Sequence, residues 1–197
     1  MIQFEEITLS FSTGKVFSNL SFSVEEGGHV CISGPSGSGK SSVLKIIQGY
    51  ILPDKGNVKI NRTSLNKNSV KELRSIMTYV PQNINLPVTS GDELLKLLGA
   101  GNKRENTGRF LQNLGLEKNM VHRPFDEMSG GQKQRIVISV CLSLDRDVIL
   151  LDEPTSSLDE ESIQNLIRVI NDLEGKTIVS ASHNQMWIES VDKVVAL

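Results

Sequence analysis

Cysteine is scarce in this chain. There are two, Cys31 and Cys141, both in apolar stretches and without C-x-x-C spacing. That excludes a disulfide framework and fits a reduced, cytosolic protein. Charge of one sign is not in excess either: 21 Lys and Arg stand against 23 Asp and Glu, for a net charge of −2. No basic footprint for nucleic acid follows from that balance. Long hydrophobic runs are missing. The longest weakly polar run, Ile136 to Leu144, is closed by Arg135 and Asp145. A spanning helix needs ~20 apolar residues. The opening residues, Met1-Ile2-Gln3-Phe4-Glu5-Glu6, have neither the basic nor the apolar region of a signal peptide. Any membrane span is therefore expected from a partner. No internal repeat or low-complexity tract is present.

What remains is an ordinary globular composition: 197 residues, 38% hydrophobic and 22% charged. One domain is expected, and a chain of this size buries roughly 70% of its unfolded surface. The first 33 residues read as strands. Ile2 and Phe4 alternate, then Ile7, Leu9 and Phe11 alternate on the other parity, a slip across Glu5-Glu6. Leu20, Phe22 and Val24 follow, and Val30-Cys31-Ile32 has the look of a buried strand. Val43, Leu44, Ile46 and Ile47 fit one helical face, with Gly49 as a stop. Pro53 to Gly56 reads as a turn, and Val58–Ile60 and Ile76–Val80 as strands. From Asn83 to about Met128 the chain is polar with helical patches, a helical insertion. Ile136, Val137, Val140, Cys141 and Leu144 then share a helix face. Val148–Leu151, Thr177–Ser180 and Val191–Leu197 read as strands around a helix bearing Ile163, Leu166, Ile167, Ile170 and Leu173. Apolar strands alternating with helices imply an α/β fold with a parallel sheet covered on both faces.

Two elements carry chemistry. Gly34-Pro35-Ser36-Gly37-Ser38-Gly39-Lys40-Ser41 matches G-x-x-x-x-G-K-[ST]. Its glycines let backbone N–H groups close on phosphate oxygens, and the helix that follows aims its positive end at the same anion. Lys40 is expected to reach the β- and γ-phosphates, and Ser41 to ligate Mg²⁺. Asp152 and Glu153 end a buried strand, the edge at which ligands of parallel sheets bind. Asp152 can hold Mg²⁺, and Glu153 can polarise the attacking water.

A third element extends these. Met128-Ser129-Gly130-Gly131-Gln132 resembles the L-S-G-G-Q signature of ATP-binding-cassette (ABC) ATPases, with Met128 in place of Leu. The resemblance covers essentially the whole chain and keeps the family's motif order. Phe11 stands where the family has an adenine-stacking aromatic. Gln82, after Tyr79-Val80-Pro81, resembles the Q-loop, and Ser157-Leu158-Asp159 the D-loop. His183, after Ser180-Ala181-Ser182, resembles the switch histidine. His29 and His122 show no partner pattern, and Trp187 is expected to pack in the last helix.

The resemblance implies a P-loop NTPase core with a mostly parallel sheet, an N-terminal antiparallel β subdomain and a short helical insertion. It implies one cassette domain over residues 1–197, with a helical subdomain over about 83–135 carrying the signature. Implied nucleotide contacts are Phe11, Gly34, Pro35, Ser36, Gly37, Ser38, Gly39, Lys40, Ser41, Ser42, Ser129, Gly130, Gly131 and Gln132. Implied catalytic residues are Glu153, His183 and Gln82, and implied Mg²⁺ ligands are Ser41, Gln82 and Asp152. ATP would lie between two cassettes, this chain and a second copy or a homologue, arranged head to tail. Hydrolysis would power transmembrane permease subunits from the cytoplasmic face, with no nucleic acid involved. Some features depart from the family. Asn184 follows His183 where Asp is usual, and Ser157 stands where Ala is common. No C-terminal regulatory extension is expected after Leu197, and no Gly/Glu-rich exporter stretch precedes Ser129. Two alternatives to transport stay open: a mechanical or signalling role through a membrane partner, and a soluble cassette acting on DNA or ribosomes.

Overall fold

The computed structural model describes all 197 residues. Two sheets and seven α-helices form its layers. β1 (Ile2–Phe11), β2 (Gly14–Val24), β4 (Lys55–Ile60) and β5 (Thr63–Ser64) form an antiparallel sheet in the order β2-β1-β4-β5. The change of parity along β1 is a bulge. Pairing with β2 shifts between Phe4 and Ile7, and Glu6 takes φ 52°. The extra residue keeps Ile2, Phe4, Ile7 and Leu9 all on the buried side. Gly56 sits opposite with φ +91°, where a Cβ would lie 2.5 Å from the Glu5 carbonyl oxygen.

The second sheet is wholly parallel. β6 (Met77–Val80), β7 (Val148–Asp152), β8 (Thr177–Ala181), β3 (His29–Ser33) and β9 (Lys193–Ala196) lie in that order. Because strand side chains alternate, the sheet divides the core in two. Val30, Ile32, Val148, Leu150 and Val179 pack with α1 (Lys40–Ile47) and the antiparallel sheet. Cys31, Ile149, Leu151 and Ile178 pack on the opposite side with α5 (Gly130–Ser143), α6 (Glu160–Asn171) and Trp187 of α7 (Gln185–Glu189).

α2 (Val70–Ser75) is a short helix that the sequence pattern does not announce. Between β6 and α5 lie α3 (Gly91–Leu97), α4 (Arg104–Asn113) and three 3₁₀ turns. α5 runs through the boundary drawn near residue 135. Its residues Ile136 to Ser143 are buried all round rather than on one stripe, because α4 covers one side and the sheet the other. No helix is long and apolar enough to cross a membrane.

Candidate functional site

The parallel strands β3, β7 and β8 end at one edge, and the loops leaving them converge there. The loop after β3 runs Gly34 to Gly39, and Lys40 opens α1. Gly39 has φ +100°, and a Cβ there would strike Val16 at 2.3 Å. Glycine is therefore required for the turn into the helix. The α1 N-terminus has no side-chain cap and no acidic residue in its first turn. Its first N–H groups are left for an external anion. The Ser38 hydroxyl is buried without a partner, a second unspent group in the same loop. These features fit a phosphate.

Lys40 is almost fully buried. Its Nζ donates to the carbonyl oxygens of Gly34 at 2.9 Å and Pro35 at 3.2 Å, and lies 3.3 Å from Glu153 Oε1. The lysine is thus held by the loop's own carbonyls and by the acid.

Asp152 ends β7, with its two oxygens bound by different elements. Ser41 Oγ donates to Oδ1 at 2.9 Å, and the Tyr79 hydroxyl of β6 donates to Oδ2 at 3.0 Å. Burial raises the Asp152 pKa, while the Ser41 and Tyr79 hydrogen bonds act to lower it. Burial, and then the Asp152 charge, raise that of Tyr79, which keeps it a proton donor. No cluster of three or more His, Cys, Asp or Glu could enclose a metal. A hydroxyl and one carboxylate beside a phosphate loop suit Mg²⁺, which is held by few protein oxygens and completed by phosphates and water.

Glu153 has φ +47°, in the left-handed region. Five contacts fix it there, one of them the Ser156 N–H, which donates to the Glu153 carbonyl at 3.2 Å. Its N–H donates to Ala181 O at 2.8 Å, and its carbonyl accepts from Gln134 Nε2 at 3.1 Å. Its carboxylate meets Lys40 on one side and His183 Nδ1 on the other, at 2.9 Å to Oε2. The fold thus brings together the loop, Lys40, Ser41, Asp152, Glu153 and His183.

The other candidate residues lie apart. Phe11 ends β1 and is 47% exposed, so its ring is free rather than part of the core. Gln82 is exposed just beyond β6. Ser129 caps α5 in a reciprocal box: its Oγ accepts from Gln132 N at 3.2 Å, and Gln132 Oε1 accepts from Ser129 N at 3.0 Å. The Gln132 side-chain oxygen is thereby committed to the cap. Gly130 and Gly131 keep N–H groups without intrahelical partners. Ser129 and Gly130 are exposed, so this helix N-terminus faces outward.

A family model described as ABC transporter matches residues 17–156. The chain belongs to the ABC transporter family. This cassette is 34% identical to the ABC transporter ATP-binding protein YtrE of Bacillus subtilis, covering 93% of this chain and 89% of that protein. It is 31% identical to the energy-coupling factor transporter ATP-binding protein EcfA1 of Fusobacterium nucleatum, covering 100% of this chain and 78% of that one. It superposes on the ATP-binding cassette MJ0796, in a dimeric post-hydrolysis state with ADP and phosphate, at TM-score 0.88 and 27% identity. That match covers 100% of this cassette and 94% of that chain.

The cassette contains site neighbours that the motif reading passed over. Tyr79, in sequence only a flank of Gln82, donates to Asp152. Gln134 bonds both Glu153 and Ser157. The only sequence signal for Gln134 is a polar residue entering a helix that is apolar soon after. His122, which shows no partner pattern, meets Asp92, whose Oδ1 also takes Arg104 Nε at 2.8 Å. His29 pairs with Ser180 Oγ at 3.0 Å.

Proposed function

We propose that the cassette converts ATP and water to ADP and phosphate at this strand edge, and that transmembrane subunits use the resulting opening and closing of a cassette dimer. The observation that carries the reading is the meeting of Lys40, Glu153 and His183 at the mouth of the phosphate loop. Incoming phosphates give Lys40 a stronger partner than the two carbonyls it now holds. Lys40 then stabilises charge on the transferred phosphoryl group. Glu153, freed from the lysine, orients a water and takes its proton. His183, 68% exposed at its side chain, turns between Glu153 and the phosphate. Ser41, Asp152 and Gln82 would hold Mg²⁺, which would supply positive charge against the phosphates. Phe11 is the proposed adenine platform, stacking being worth roughly 1–3 kcal/mol.

The outward-facing start of α5 supports a head-to-tail dimer. The chain has one phosphate loop, so Ser129, Gly130 and Gly131 are proposed to cap the nucleotide held by a second cassette. Exposed Leu97 and Leu98 support the segment of about 83–135 as the unit that bears on transmembrane partners at the cytoplasmic face. The test is phosphate release from MgATP. Lys40→Ala should abolish it in a folded protein, and undiminished release would defeat the reading.

A further inference from the structure

A left-handed backbone at a non-glycine residue persists only where its surroundings over-determine it. Glu153 is such a residue, and its carbonyl accepts from the Ser156 N–H of its own turn at 3.2 Å and from one side chain, that of Gln134. Gln134 is 1% exposed, one turn beyond the signature cap in α5. Its two amide atoms are both used. Nε2 donates to Glu153 O at 3.1 Å, and Oε1 accepts from Ser157 N at 3.2 Å. The Gln134 amide thus spans the turn from residue 153 to 157 like a brace. One helical turn earlier the fit is as close: a Cβ on Gly131 would come within 2.5 Å of the Ser157 carbonyl oxygen. If Glu153 rotated out of the left-handed region, its carbonyl would leave Gln134 and its carboxylate would leave Lys40 and His183.

We infer that Gln134 is a positioning residue for hydrolysis, holding the Glu153 backbone so that its carboxylate points at the attacking water. This rests on the reading of Glu153 as the base. Gln134 also ties that base to the helix begun by Ser129, and so joins inside one chain the two halves that serve different nucleotides in a head-to-tail dimer.

Two substitutions separate positioning from packing. Gln134→Met keeps the length and removes both hydrogen bonds. Gln134→Glu keeps an acceptor for Ser157 N–H and, when ionised, cannot donate to Glu153. Each should bind MgATP as the parent does and lose about 10- to 100-fold in kcat, the scale expected of a slightly misplaced catalytic group. The decisive comparison adds Glu153→Gln. If Gln134 acts through Glu153, Gln134→Met with Glu153→Gln releases phosphate in a single turnover no more slowly than Glu153→Gln alone. Losses that multiply, or parental kcat in both Gln134 variants, would overturn the inference. So would unfolding of both variants, which would assign Gln134 to the core alone. Parental turnover by Glu153→Gln itself is the separate result that defeats the base assignment, and this inference with it.

Discussion

His183 Nδ1 lies 2.9 Å from Glu153 Oε2, across 30 residues of sequence. Strand register explains the meeting. β7 and β8 are parallel neighbours with Asp152 beside Ala181, so the residues that follow leave the sheet at the same edge. The carboxylate therefore sits between Lys40 in the phosphate loop and an exposed imidazole.

Glu153→Gln keeps the size of the side chain and removes the proposed base. The expected result is unchanged ATP affinity and a fall in kcat of about 10²–10⁴-fold, the usual worth of a general base. ATP should also hold the dimer closed, because closure persists while hydrolytic opening fails. Phosphate release together with size-exclusion chromatography in MgATP reads both effects.

Tyr79→Phe removes one of the two hydroxyls that orient Asp152. Partners of metal-binding carboxylates are worth 10- to 100-fold in metal affinity, so the Mg²⁺ needed for half-maximal activity should rise about 10-fold. ATP binding in EDTA should not change. Titration of Mn²⁺ binding by electron paramagnetic resonance provides a readout independent of turnover.

His29 is buried, with Nε2 at Ser180 Oγ, an atom that also accepts from Trp187 Nε1 at 2.9 Å. Burial lowers its pKa to about 4, partly opposed by Asp192. The unfolded chain takes up a proton near pH 6.5 that the folded chain refuses. Stability from this residue is therefore intact above pH 6.5, falls as pH drops toward 4, and changes no further below. By pH 5 the loss is about 2 kcal/mol. Urea unfolding of His29→Gln should show a shallower fall between pH 6.5 and 5 than the parent. An equal slope would contradict the buried neutral imidazole.

The residues legible in the sequence are those whose chemistry is contiguous. Gly34 to Ser41 needs only its own backbone and the next helix, so a short pattern reveals it. Asp152 and Glu153 follow an unbroken apolar strand, and Glu5-Glu6 betray a bulge because the apolar parity changes across them. Gln134 and Tyr79 are different. Their roles depend on Glu153, Ser157 and Asp152, at separations of 19, 23 and 73 residues, and periodicity carries no such pairing. The full burial of α5 was also hidden, since a helix read alone shows its apolar face and not the second layer that covers its back. The left-handed Glu153 is a property of its surroundings, not of the residue type.

In the proposed head-to-tail dimer, each nucleotide site joins Lys40 of one cassette to Ser129 of another. Lys40→Ala removes the charge clamp, and Ser129→Arg blocks the capping helix end. Each alone should be inactive. In a mixed dimer one site carries both lesions and the other carries neither. The most direct measurement is phosphate release from a mixture of the two inactive proteins across a range of concentration. Activity should return on mixing and rise more steeply than linearly, because the active species is a dimer. No recovery in a mixture shown by cross-linking to contain closed mixed dimers would contradict the shared site.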